Sequence, residues 1–409
     1  MPVSTILTGF LAGLGEAVNA PLGLAVSGGG DSLAMLHLAV QAGLRVQAVT
    51  VDHGLRSESA SEAAMVAQVC NGLGVPHATL RWQGWDHKGN LQDHARNARR
   101  RLIAEWAHRA GLGAVALAHT QDDLAETFLM RLTRGAGVDG LSAMSARWTE
   151  GGVIWLRPLL AASRQSLRDM LRAEGVAWVD DPSNEMDRFD RVKARKALVA
   201  LAPLGLTPPT LAAVARHLAE ARTALEAATD TAAATLLQPD GAAICIAEGW
   251  RDLPEEISRR LLVGVIQTIA PAPYAPRGPA LMRLRDALSQ RCPAALAGCR
   301  FLFAKTGLRA FREAKAVAGL QVPVGQVWDG WHMIGPATDG MTVRALGAEG
   351  LAQCADWRTT LRPRAELLAS PSVWLDDRLI AAPMAQIGTE WRAMRVLPPH
   401  SASLSALSH

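Results

Sequence analysis

Residues 22–26 form a short unbroken apolar run that ends in Ser27-Gly28-Gly29-Gly30-Asp31-Ser32. A run of that length against a glycine cluster predicts a strand buried on both faces. A helical stretch follows at 33–41 and stops at Gly43. The same alternation repeats. Apolar runs at 45–51, 75–82, 114–118 and 153–156 precede helical patterns at 57–70, 90–109, 122–134 and 163–172. Gly111 sits behind the helix at 90–109, where a C′ glycine belongs. Strand–helix alternation of this kind predicts an α/β fold, a parallel sheet with helices on both faces.

The pattern changes near Pro203. Thr210, a plausible N-cap, opens a long alanine-rich helix over 211–236. A short strand is expected at 241–246, helices at 254–269 and 279–291, and a basic strand over 301–311. Beyond Pro323 come short β-like pieces separated by Gly, Pro and Asp, then a small polar tail at 401–409 that is expected to be disordered. These breaks suggest three domains: an α/β domain at 1–205, a helical basic domain with a linker helix at 206–318, and a small α+β domain at 319–409.

Composition narrows the class. The chain has 409 residues, 49% hydrophobic and 20% charged. That balance excludes a disordered chain, a collagen and a coiled-coil rod. The net charge is +4, which permits an anionic partner without demanding one. The excess is local: residues 277–315 hold nine basic side chains against two acidic ones. None of the five cysteines forms a CxxC pair, which argues against a disulfide scaffold, a zinc ribbon or an iron–sulfur site and suits a reducing cytoplasm. No Lys or Arg precedes Arg45, and Glu16 and Asn19 interrupt the apolar start, so no signal peptide is expected. No run approaches the ~18–20 apolar residues of a membrane span.

Five motifs carry candidate chemistry. Ser27 to Ser32, between a strand and a helix, can present backbone N–H groups and a helix N-terminus to phosphate oxygens. It lacks the Gly-Lys-Ser/Thr ending of a Walker loop, and alone it reads equally as a tight turn. Asp52-His53-Gly54-Leu55-Arg56 closes the second strand, on the side where open α/β sheets bind ligands. His119-Thr120-Gln121-Asp122-Asp123 leads to Glu126. Thr120 and Asp123 make a capping box, while Asp122, Asp123 and Glu126 gather on the first turns and would repel one another without a cation among them. Mg²⁺ or a substrate ammonium would satisfy them. Gly89-Asn90-Leu91-Gln92 precedes Arg96, Arg99 and Arg100 on one helix side, which could face phosphate or only solvent. Last come Arg157-Pro158-Leu159-Leu160, then Asp180-Asp181-Pro182-Ser183-Asn184, then Arg191, Lys193, Arg195 and Lys196.

SGGxDS at a first strand–helix junction resembles the PP-loop of the ATP pyrophosphatases. The whole series, SGGxDS, DHGLR, GNxQxxAR, AHxxDDxxET…RLxRGxGxxGL, RPLL…R and DxSN with a basic tail, resembles the tRNA(Ile)-lysidine synthase family over 22–196. Met170, in place of an aromatic, and Arg191-Val192-Lys193, in place of an Arg-Asn pair, depart from that family. The resemblance implies a ligase that joins L-lysine to C2 of the wobble cytidine in the CAU anticodon of tRNA(Ile), through an adenylated base, releasing AMP and pyrophosphate. It implies ATP as substrate and Mg²⁺ as cofactor, a cytoplasmic location, and a homodimer as one state of assembly. By the same resemblance, Ser27, Gly28, Gly29, Gly30, Asp31, Ser32, Asp52, His53 and His119 would bind ATP. Asp31 and Asp122 would hold the metal, and Asp31, Asp122, Asp123 and Glu126 would be catalytic. Asp123, Glu126 and Arg99 would bind lysine, and Arg96, Arg191, Arg195, Arg283, Arg285 and Arg300 would bind tRNA. Rival readings are a tRNA-thiolating PP-loop enzyme, an amidotransferase-type synthetase, and a non-catalytic tRNA-binding module. The lack of CxxC and of an N-terminal catalytic Cys weighs against the first two.

Overall fold

The computed structural model describes residues 3–54, 59–82, 91–142, 144–179, 190–272, 275–304 and 307–396. Backbone contacts divide the chain into two units, Met1–Arg222 and Thr223–His409. Leu55-Arg56, Gly89-Asn90, Asp180 to Asn184 and the 401–409 tail lie outside the described residues.

The first unit opens with α1 (Val3–Leu14), whose Ile6, Phe10 and Leu14 repeat every fourth residue and are buried. The sequence pattern predicts no element for this apolar start. Then follow β1 (Leu22–Ala25), α2 (Gly30–Gln41), β2 (Val46–Asp52), α3 (Ser59–Gly72), β3 (His77–Arg81), α4 (Leu91–Arg109), β4 (Ala114–Leu117) and α5 (Gln121–Leu132). After α6 (Val138–Leu141) come β5 (Arg147–Glu150), β6 (Val153–Leu156), α7 (Arg164–Ala173) and α8 (Asp190–Leu201).

The sheet order is β3-β2-β1-β4-β6-β5. Every pairing is parallel except β5 with β6. The expected parallel sheet therefore carries an antiparallel edge strand. β5 reads Arg-Trp-Thr-Glu and none of it is buried, so an apolar-run reading passes over it. Gly151 and Gly152, both at positive φ, make the hairpin turn.

Apolar side chains of α1, α2 and α7 cover one sheet face. Ile103, Trp106 and Ala107 of α4 pack on the other, against Val115, Val153 and Trp155. Burial on both faces is why the strands read as apolar runs rather than as alternating residues. From β1 the chain steps outward to β2 and β3, then returns to place β4 on the far side of β1. The loops after β1 and β4 thus part at a topological switch point, where a crevice opens at the carboxyl ends of the strands.

Helix α9 (Pro208–Leu236) carries the chain from the first unit into the second. It starts two residues before the expected cap at Thr210; proline suits a helix start because its missing N–H would have no partner there. In the second unit, β7 (Leu237–Asp240), β8 (Ala243–Ile246), β9 (Ala294–Leu296), β10 (Cys299–Ala304) and β11 (Gly307–Arg312) form a sheet of order β7-β8-β11-β10-β9. Its core includes Trp250, Leu261, Leu262 and Val265 of or near α10 (Glu255–Ile269), and Leu281, Leu284 and Leu288 of α11 (Gly278–Ser289). The stretch that reads as one basic strand over 301–311 is the β10–β11 hairpin. The remaining strands are β12 (Gln321–Pro323), β13 (Trp331–Ile334), β14 (Met341–Ala345), β15 (Pro371–Leu375), β16 (Arg378–Ala381) and β17 (Arg392–Arg395). They build a β12-β14-β15-β16 sheet and a β13-β17 pair, with α12 (Gly347–Ala352) and α13 (Arg364–Leu368) beside them. Among the described residues no single helix is long and apolar enough to cross a membrane.

Candidate active site

The loop after β1 turns at Gly28, whose φ of +90° is a conformation that side chains with a Cβ rarely adopt. Gly29 is the N-cap of α2, so Ser32 falls inside the first turn rather than at the cap. Its Oγ donates to the Gly29 carbonyl at 2.9 Å and accepts the Ser27 N–H at 3.1 Å, which ties the loop across its own mouth. The segment after α7 runs along the loop. Val179 N–H donates to the Gly28 carbonyl at 3.1 Å, and a Cβ on Gly30 would meet the Trp178 ring at 3.4 Å. A helix N-terminus behind a glycine turn is a ready cradle for phosphate.

The acidic cluster stands at the start of α5. Thr120 and Asp123 form the expected reciprocal capping box. The Thr120 N–H donates to Asp123 Oδ2 at 2.9 Å, which fixes the carboxylate and leaves Oδ1 to point elsewhere. Glu126, one turn on, is 1% exposed. The cation that so tight a group of carboxylates requires is supplied by the chain itself. Arg164, at the start of α7, sends Nε to Asp31 Oδ2 at 3.3 Å, Nη2 to Asp123 Oδ1 at 3.1 Å and Nη1 to Glu126 Oε1 at 3.1 Å. Its backbone N–H donates to Asp122 Oδ2 at 2.7 Å. One residue thus joins the phosphate loop on α2 to the carboxylates on α5. Arg195 Nε also reaches Glu126 Oε1, at 2.9 Å.

The electrostatics differ sharply among these groups. Burial raises the Asp31 carboxyl from 3.8 to about 6, and Asp123 adds to the rise, against the pull of Arg164. Asp123 is itself held low. Its burial opposes ionisation, but Arg164 and the Thr120 hydrogen bond outweigh it. His119 is pushed down to about 3, first by burial and then by Arg157. Arg157 Nε donates to His119 Nδ1 at 3.1 Å, so the proton of the neutral ring sits on Nε2. Arg157 is in turn fixed by the Ser145 carbonyl and lies 4.0 Å above the Trp148 ring.

The other expected site residues fall into two groups. Asp52, at the end of β2, accepts the Gly54 N–H at 2.9 Å and is held below the ordinary carboxylate range, first by Ser59 and then by that bond. His53 packs edge-on to Trp82 and is depressed by burial and by Arg99. Arg99 also acts on His119, and Arg191 on both His119 and Asp123, which places these cations around the same crevice. Arg96 is exposed on α4. In the second unit Arg283 and Arg300 are exposed, while Arg285 pairs with Glu255 at 2.7 Å. The basic stretch is less free than its count suggests. Arg291, Arg309, Arg312 and Lys315 pair with Glu248, Glu366, Asp329 and Glu313. Arg157 and Arg164 had no assigned role in the sequence reading. Both stand in the RPLL…R stretch of the sequence, but no local pattern tells that Arg164 meets carboxylates on α2 and α5.

For Mg²⁺ the residues present fit. Asp31 Oδ1 is buried with no hydrogen-bond partner among the described residues, and Asp122 lies on the same arginine. Mg²⁺ commonly takes one or two carboxylates and completes its shell with phosphate oxygens and water. No group of three or more His, Cys, Asp or Glu that could hold a metal unaided occurs among the described residues.

A glycine cradle after β1 and a carboxylate cluster after β4, at the switch point of a parallel sheet, define a PP-loop domain, and the PP-loop domain family matches residues 6–202. A tRNA(Ile)-lysidine synthase of Ruegeria pomeroyi is 50% identical over 394 residues, covering 95% of this chain and 94% of that protein. One from a Bradyrhizobium species is 41% identical over 293 residues, covering 68% and 80%. The chain belongs to the tRNA(Ile)-lysidine synthase family. Among solved structures, the U34-tRNA thiolase NcsA from Methanococcus maripaludis matches with a TM-score of 0.47 at 16% identity, over 53% of this chain and 80% of that one.

Proposed function

We propose that this chain uses ATP to join L-lysine to C2 of the wobble cytidine in the CAU anticodon of tRNA(Ile), in the cytoplasm. The observation that carries the reading is the meeting of Asp31 with Asp123 and Glu126 on one guanidinium. A phosphate cradle and an amine-binding acid cluster then serve one reaction centre.

Two steps follow. Cytosine O2 attacks the α-phosphorus, the bond to the β-phosphate oxygen breaks, and pyrophosphate leaves into the cradle of Ser27 to Ser32. The lysine ε-amine then attacks C2 and AMP departs with O2. Asp31 and Asp122 would hold Mg²⁺, which offsets charge on the pyrophosphate when bound. Asp123 and Glu126 hold the ammonium, and Arg99 suits the substrate carboxylate. The amine must shed a proton as it attacks. Glu126 Oε2, buried and without a partner among the described residues, is an acceptor open to it. His119 acts as a neutral Nε2–H donor and not as a base, because Arg157 occupies its Nδ1. Extruded anticodon bases are read by stacking and edge contacts, and exposed arginines such as Arg96, Arg283 and Arg300 suit backbone phosphate.

The test is direct. The protein is incubated with a CAU-anticodon tRNA(Ile) transcript, ATP and labelled lysine, and the digested nucleosides are identified. Lysidine with equal yields of AMP and pyrophosphate is expected. A tRNA that remains unlabelled, or gains sulfur when a sulfur donor is supplied, would sink the reading.

A further inference from the structure

The geometry points to Arg164 as an internal stand-in for the substrate amine: it closes the Asp123–Glu126 trap until a nucleotide triphosphate takes its guanidinium, so that ATP must bind before L-lysine. This rests on the reading that Asp123 and Glu126 receive the amine.

Three observations support the exchange. First, the guanidinium uses Nε, Nη1 and Nη2 on three carboxylates from two helices. These are the charges an incoming ammonium would need. Second, Glu126 Oε1 already accepts from both Arg164 and Arg195, so a further cation there meets two like charges. The lysine amine and the Arg164 guanidinium therefore compete for the same oxygens. Third, the Arg164 backbone is held by Asp122, while the competing bonds are all made by its side chain. The side chain can leave without moving α7.

The nucleotide supplies the reason to leave. Asp31 directly follows the glycines of the phosphate loop, and Arg164 Nε lies on Asp31. Phosphates seated in that loop place several negative charges beside the guanidinium. A phosphate can take the guanidinium through two parallel charge-assisted bonds, whereas each carboxylate here takes one. The order matches the chemistry, since the amine is needed only after the base is adenylated. Holding the trap closed until then also keeps other cellular amines out of it.

The test is binding of labelled L-lysine to the full chain with Mg²⁺, by equilibrium dialysis, with and without α,β-methylene-ATP. For the unaltered protein, lysine should bind about tenfold or more tightly when the analogue is present. Arg164→Met should bind lysine without the analogue about as tightly as the unaltered protein does with it, and methylguanidinium should compete with lysine in that variant alone. Equal lysine affinity with and without analogue in the unaltered protein overturns the proposal, as does weaker analogue-free binding in a folded Arg164→Met. If that variant fails to fold, the unaltered protein decides alone. Asp123→Asn separates the two ideas. An unchanged Michaelis constant for lysine in that variant rejects the amine site itself, whereas a raised constant beside failed Arg164 outcomes rejects only the ordering.

Discussion

Asp31→Asn should stabilise the protein while it abolishes pyrophosphate release. Burial is the largest influence on Asp31 and lifts its carboxyl from 3.8 to about 6 despite Arg164. Below pH 3.8 the group is protonated in folded and unfolded chains alike. Between 3.8 and about 6 the unfolded chain releases a proton that the folded chain keeps, and stability falls as pH rises. Above about 6 both forms are ionised and the penalty is complete. At ~1.4 kcal/mol per pH unit, the penalty is about 3 kcal/mol. Asparagine keeps the shape and has no charge to bury. In magnesium-free buffer at pH 8 it should raise the melting temperature by several degrees, at roughly 2–4 °C per kcal/mol for a unit of this size. The gain should fall to about half near pH 5 and vanish below pH 4. Scanning calorimetry across pH measures it. A variant less stable at pH 8, or a gain that ignores pH, would show that the Arg164 contact outweighs burial and would refute the reasoning. The outcome also bears on function, because a site that is costly to fold without a bound cation gains most from binding one.

Other expectations follow from single features. Arg157→Met frees His119 Nδ1 and removes a nearby positive charge, so the imidazole should rise from about 3 toward its ordinary 6.5, seen by nitrogen NMR as a titration that the unaltered protein lacks. Its protonation should then bring a new acid-side fall in activity. Glu366→Gln leaves Arg309 and Arg362 without their fully buried carboxylate and should destabilise the second unit by roughly 3–5 kcal/mol, read from denaturant melts. Gly28→Ala forces a Cβ onto a φ of +90° and should cost about 1–2 kcal/mol and raise the Michaelis constant for ATP; an unchanged constant argues against the loop as the phosphate cradle. Charge reversal at Arg283 and Arg300 should raise the Michaelis constant for tRNA more than that for lysine and flatten its salt dependence. Equal effects on both substrates would reject that surface as the tRNA track.

The local elements of the first unit were legible because each is a short-range consequence of sequence. Strands buried on both faces leave unbroken apolar runs, Gly111 ends α4, and Thr120 with Asp123 caps α5 whatever surrounds them. The glycine turn into α2 was legible for the same reason, since a glycine cluster between an apolar run and a helical pattern marks it locally. The polar edge strand β5 and the amphipathic α1 went unread because neither leaves an apolar run bounded by turns. In the second unit a hairpin passed for one strand, since its two arms are both apolar and basic.

What the sequence could not determine is how its charges are settled. It placed three carboxylates on one helix end, which would repel one another without a cation among them. Only the fold could supply it, by returning the chain from β3 across β1 to β4 and then setting α7 over the gap, so that Arg164 meets Asp31, Asp123 and Glu126 together. Helical periodicity reaches three or four residues, whereas these partners stand 38 to 133 positions away. The same limit governs His119, kept neutral first by burial and then by an arginine 38 residues on, and the basic stretch of the second unit, much of whose charge is spent within the fold. Residue types and local geometry are written in order along the chain; which charges face each other is decided by topology.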